Sequence, residues 1–92
     1  MTERRVFKYH LDDTQTALDI PKDAEVLDIQ LQGDDVMLWA IVPDTVLPAI
    51  TVRRFQVVLT GETVPPNSKY IKTLQNRHGY VYHIFEIIQN NS

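Results

Sequence analysis

Residues 26–42, VLDIQLQGDDVMLWAIV, set two apolar-rich runs on either side of Gly33-Asp34-Asp35. Such runs interrupted by a glycine-bearing turn are the pattern of a β-hairpin, because glycine supplies the positive φ that a tight reversal needs. In the first run Leu27, Ile29 and Leu31 share one face and Asp28, Gln30 and Gln32 the other, so one face is expected in a core and one in water. The second run, residues 36–42, is apolar at both parities, which predicts a central strand covered on each side or enclosed by a barrel. Trp39 shares a parity with Met37 and Ile41, and the large area of an indole assigns it to the core.

The flanking sequence extends the same architecture. Residues 5–11 alternate Phe7, Tyr9 and Leu11 against Val6, Lys8 and His10, the period of a half-buried strand. Residues 17–20 form a brief strand before Pro21, or a short helix capped by Asp13 or Thr14 and ended by Ile20-Pro21. Residues 43–50 are punctuated by prolines, with Val46, Leu47 and Ile50 closing one end of the core or forming a rim for a partner. Residues 52–59 direct Phe55, Val57 and Leu59 inward, and Pro65-Pro66-Asn67-Ser68 is a loop. Residues 70–75 and 80–88 flank Asn76-Arg77-His78-Gly79 as a second hairpin, and residues 89–92 are a polar tail. The reading is mainly β: a small antiparallel β-sandwich or partly open barrel of about six strands, with room for one short helix in residues 13–19 or 65–72.

A chain of 92 residues is expected to form a single domain, residues 1–92. Its longest apolar run, residues 36–42, is far below the roughly 20 residues of a membrane-spanning helix, and no apolar segment follows the basic N-terminal residues as in a signal peptide. The expected location is the cytoplasm, with no membrane association. The absence of cysteine excludes disulfides, thiolate metal sites and thiol nucleophiles. Residues 1–50 hold four basic against ten acidic side chains and residues 51–92 five against two, for an overall net charge of −3. That balance argues against general nucleic-acid affinity, which needs a clustered basic face. A charge asymmetry of this kind is ordinarily solvated surface, or else an aid to self-association through complementary faces.

No catalytic constellation emerges. His10, His78 and His83 lack close metal-ligand spacing, and Asp34-Asp35 at a hairpin tip point apart, so no metal or cofactor is expected. Ser68 and Ser92 are the only serines and neither lies in a nucleophile elbow. The Thr60-Gly61-Glu62 loop has neither the lysine nor the following helix of a phosphate loop. The richest stretch is the last hairpin, where Tyr70, Tyr80, Tyr82 and His83 lie near Lys72 and Arg77. Tyrosines beside cations can stack bases, although two sheet faces with hydroxyls reaching water explain them as well.

The segments Pro21-Lys22-Asp23-Ala24, Leu38-Trp39-Ala40-Ile41-Val42-Pro43-Asp44, Thr60-Gly61-Glu62, Tyr70-Ile71-Lys72-Thr73 and Tyr82-His83-Ile84-Phe85-Glu86 occur in consistent order over about three quarters of the chain. Together they resemble a family of small uncharacterised bacteriophage proteins, whose pattern reads L-W-A-x-V, T-G-x, Y-I-x-T and W/Y-H-x-F-E. Glu62 stands where the family loop has histidine, and Tyr82 where its closing strand has tryptophan. The resemblance implies a phage accessory protein in the infected bacterial cytoplasm and carries no assigned activity. It draws attention to His83 and the Thr60-Gly61-Glu62 loop.

The leading expectation is therefore a non-catalytic binding protein, not an enzyme. It would act on a host or phage protein through a sheet edge or aromatic rim, as a small homo-oligomer. The candidate binding residues are Glu62, Tyr70, Lys72, Arg77, Tyr80, Tyr82 and His83. The alternative is a binder or sequestering protein for a nucleotide-like small ligand, using the tyrosines with Lys69, Lys72, Arg77 and His83. A third reading, a hydrolase built from His83 with Glu62 or Glu86, has the least support.

Overall fold

Period-two alternation recurs along almost the whole chain, and the computed structural model turns it into seven strands among the described residues. They are β1 (Arg4–Leu11), β2 (Gln15–Pro21), β3 (Glu25–Gln32), β4 (Asp35–Pro43), β5 (Ile50–Leu59), β6 (Ser68–Gln75) and β7 (Val81–Ile87). The structure describes residues 3–12, 14–44 and 48–88. The expected roles of Val46, Leu47, the Asp13 cap and the polar tail lie outside them.

Two antiparallel sheets form, one of three strands in the order β1-β4-β3 and one of four in the order β2-β5-β7-β6. Neither closes into a barrel. Residues 15–21 form a strand rather than a helix, in unbroken register from Gln15 opposite Gln56 to Pro21 opposite Ile50. No helix occurs among the described residues, so none is long and apolar enough to cross a membrane.

The β3–β4 hairpin closes as expected. Gln32 pairs with Asp35 across Gly33 and Asp34, and Gly33 has a φ of 64° while Asp34 is not in the left-handed region. Positive φ at only the first central residue is the II′ pattern, which favours glycine there and matches the twist of the flanking strands.

All seven strands feed one apolar core. Leu11, Leu18, Ile20, Ile29, Leu38, Phe55 and Ile84 are nearly or fully buried within it, joined by Val36, Ala40, Val57 and Leu74. The shortest molecular dimension is 16 Å, matching two sheets about 10 Å apart.

Two sequence expectations fail here, each for its own reason. β4 is central within its sheet, but only Val36, Leu38, Ala40 and Val42 are buried; Met37, Trp39 and Ile41 face outward and remain partly exposed. Trp39 is thus not a core residue. A strand apolar on both faces need not be covered on both, and in a two-layer fold the outer face has no layer to cover it. Leu27, expected beside Ile29 and Leu31, is 47% exposed, because a β-bulge between Val26 and Asp28 makes it the extra residue while Val26 packs against the core. A second bulge, at Ile71 between Tyr70 and Lys72, interrupts β6. Both bulges lie on strands paired on one side only, where they disrupt the regular edge that could template aggregation.

Phe55→Ala should cost about 3–5 kcal/mol, a large share of the stability of a domain this size. Val6→Thr, at an exposed position, should change stability by less than about 0.5 kcal/mol. Urea denaturation of the three proteins checks both values.

Candidate functional site

The turns at residues 60–62 and 76–80 come together at one end of the sandwich. There Glu62, Tyr80 and Tyr82 line an open recess of about 470 Å³ together with Val57, Leu59, Thr14 and Gln56. Its geometry depends on Asn76. The Asn76 backbone N–H donates to the Tyr80 carbonyl (3.0 Å), and its side-chain oxygen accepts from the N–H groups of His78 and Tyr80 (both 2.9 Å). Its Nδ2 donates to the Tyr82 hydroxyl at 3.2 Å, and its carbonyl accepts from Gly79 at 3.1 Å. One residue therefore closes the turn and ties down both tyrosines, as asparagine can by bonding backbone on either side of itself. Glu62 is held in the same way, its Oε1 accepting from the Leu59 N–H at 2.8 Å.

A second recess, of about 460 Å³, opens along the flank where β3 meets β6. Arg53 and Glu86 form a two-point ion pair there, Nε to Oε2 at 2.6 Å and Nη2 to Oε1 at 2.7 Å, with side chains 26% and 16% exposed. Arg53 lies over the Phe55 ring (5.6 Å to its centroid), and its Nη1 reaches the Ala24 carbonyl at 3.4 Å. Hydrogen bonding to Glu86 raises the Arg53 pKa above its ordinary value, outweighing the opposing effect of desolvation. Across the cleft Lys72 pairs with Asp28. The Asp28 carboxyl is lowered from 3.8 to about 2, first by the Gln30 amide and then by the Lys72 ammonium, which together with the Ile29 N–H outweigh desolvation.

The outer face of the four-stranded sheet carries a third arrangement. His83 sits between two threonine hydroxyls, Thr60 Oγ1 at 3.0 Å from Nε2 and Thr73 Oγ1 at 3.1 Å from Nδ1, and Thr73 also bonds the Tyr70 hydroxyl at 2.8 Å. The Tyr70 ring meets Phe85 edge-on, with centroids 5.8 Å apart.

The seven expected residues are thus divided. Glu62, Tyr80 and Tyr82 share the end recess, Lys72 lies in the flank cleft, and Tyr70 and His83 share the outer face. Arg77 sits at a turn tip, paired with Asp34 of the other sheet at 3.3 Å. Glu86 takes the core-side parity with Ile84 whereas His83 takes the other, so the two do not form a catalytic pair. Among the described residues no group of three or more histidine, aspartate or glutamate side chains could hold a metal. Asn76 and Arg53 were not among the expected site residues, and Glu86 was expected only in the hydrolase reading. Arg53 had a signal, since it shares its parity with the inward Phe55 and Val57.

Two outcomes test this electrostatic picture. Glu86→Leu should cost about 2 kcal/mol by leaving Arg53 partly buried and unpaired, and adding Arg53→Met should recover most of that loss, as measured by a denaturation double-mutant cycle. Asp28 takes up a proton near its ordinary value when unfolded but only near 2 when folded. Its contribution is therefore fully present above about pH 4 and is lost as pH falls through about 2. Urea midpoints over this range should fall less steeply for Asp28→Asn than for the parent protein.

No curated protein and no solved structure matches the chain. A family model described as a domain of unknown function (DUF7352) matches residues 2–92. The fold and recesses described above are those of a chain that belongs to this family, DUF7352.

Proposed function

We propose that this is a non-catalytic binding protein that engages another protein along the β1 edge. The observation that carries this reading is the state of β1, an eight-residue strand paired, among the described residues, with β4 alone, on which Val6 is 56% and Phe7 48% exposed. A long strand with one free edge and apolar side chains can accept an added strand, whose main-chain bonds supply affinity and whose side chains supply specificity. Arg4, Arg5 and Lys8 on the same strand oppose indiscriminate pairing, which suits a specific partner. The bulges on β3 and β6 leave those edges less regular than that of β1. The partner is a host or phage protein in the infected bacterial cytoplasm, a setting supported by the resemblance to phage proteins through the L-W-A-x-V and Y-H-x-F-E segments. A second copy of the chain is the other partner this edge suits, giving a small homo-oligomer.

A small-ligand reading, of the nucleotide-like class or another, draws support from the two open recesses. Lys72, Arg53 and Arg77 are each committed to a carboxylate, and such pairs would have to open to receive a phosphate.

Affinity capture from bacterial lysate with light scattering tests the edge reading. A partner or a second copy should be retained by Ile50→Ser and lost by Val6→Glu combined with Phe7→Ser, all exposed positions. A monomeric mass with no partner sensitive to the β1 changes would refute it.

A further inference from the structure

We propose that the recess formed by Glu62, Tyr80 and Tyr82 binds an organic cation, an alkylammonium or guanidinium head group. This rests on the small-ligand reading of that recess and names the ligand's chemistry. Among the described residues Glu62 is the only ionised side chain in the lining, so the site favours positive charge and repels phosphate or carboxylate. Its Oε1 is occupied by the Leu59 N–H, which fixes the carboxylate, while Oε2 has no protein partner among the described residues. A carboxylate held this way is prepared for a charge-assisted hydrogen bond.

The tyrosines supply what a soft cation recognises and a hydrated metal ion does not. Phenol rings attract ammonium and guanidinium groups through their negative π faces, an interaction that strengthens as water is excluded. Tyr80, at 62%, is the most exposed large hydrophobic residue among those described, and its hydroxyl has no partner among the described residues. Yet its backbone is fixed on both sides by Asn76, which also holds the Tyr82 hydroxyl. An exposed aromatic on a fixed backbone loses little freedom on binding. Val57 and Leu59 add apolar surface for the methylene or methyl groups around the charge. One carboxylate alone does not meet the oxygen-ligand number of a calcium or magnesium ion.

Two-dimensional NMR titration of the full chain tests this with choline, N-acetyl-trimethyllysine amide and N-acetylarginine amide as cations and adenosine monophosphate as the anion. At least one cation should shift the Glu62, Tyr80 and Tyr82 resonances, and the nucleotide should not. Choline separates a free amine from the side chain of a partner protein. Glu62→Gln, which keeps the oxygen facing the Leu59 N–H, and Tyr80→Ala, at an exposed site, should each weaken that binding by about tenfold. Shifts from the nucleotide alone would overturn the cation assignment and leave the small-ligand reading standing. No shifts from any probe would overturn both, and cation binding unaffected by either substitution would place it outside the recess and overturn the proposal.

Discussion

Everything in this molecule rests on one apolar seam between two sheets, with Ile29 and Leu38 on one side and Phe55, Ile84 and Ile20 on the other. The chain has no cysteine, and the described residues hold no metal cluster, so neither a disulfide nor a metal staple supplements that contact there. A seam two strands' width deep can be filled only from positions of one parity on each strand. The other parity is free to vary, and there the chain places Trp39, Met37, His83 and Tyr70. The exposed chemistry of the two outer faces is thus a consequence of having two layers rather than three.

The seam also dictates where charge can be tolerated on its own side. Arg53 and Glu86 occupy core-side parities of β5 and β7 but lie toward one end, where the flank is open. There a two-point ion pair satisfies both groups, the guanidinium also rests on Phe55, and residual solvent access lowers the cost of desolvation. Lys72 reaches Asp28 from the opposite sheet beside the two bulges, each of which re-aims its strand at the same flank. The Lys72–Asp28 pair ties the edges of β3 and β6 together across the cleft, while Arg53–Glu86 joins neighbouring strands of one sheet. Structural pairing accounts for their charges without a ligand.

Much of the fold was legible in the sequence because its signals are local. Alternation at Phe55, Val57 and Leu74, the glycine of the Gly33 turn and the prolines of residues 65–66 each act within a few residues. The errors came where a local pattern cannot count layers or insertions. Trp39 sits in an apolar strand whose second face has nothing packed on it, and Leu27 obeys a parity that the bulge then shifts. The site was less legible still. Glu62, Tyr80 and Tyr82 meet because the turn that follows β5 and the β6–β7 turn lie at the same end of the sheet, while Lys72 and His83, close in sequence to Tyr80, diverge to opposite faces of their sheet. Proximity along a strand pair says little about sharing a surface, since neighbouring residues alternate sides.

Asn76 shows how the turn end converts fold into a possible binding geometry. A hairpin connection of residues 76–80 would ordinarily be free to vary, yet this one concentrates its hydrogen bonds on a single side chain and its backbone. Closing the turn alone needs only the backbone bonds between Asn76, Gly79 and Tyr80. The additional bond to the Tyr82 hydroxyl does nothing for the reversal; it fixes a side chain that already packs against the core and lines the recess. Tyr82 therefore couples the seam to the recess, so that the rigidity of the core is carried to a surface where two phenols and a carboxylate converge.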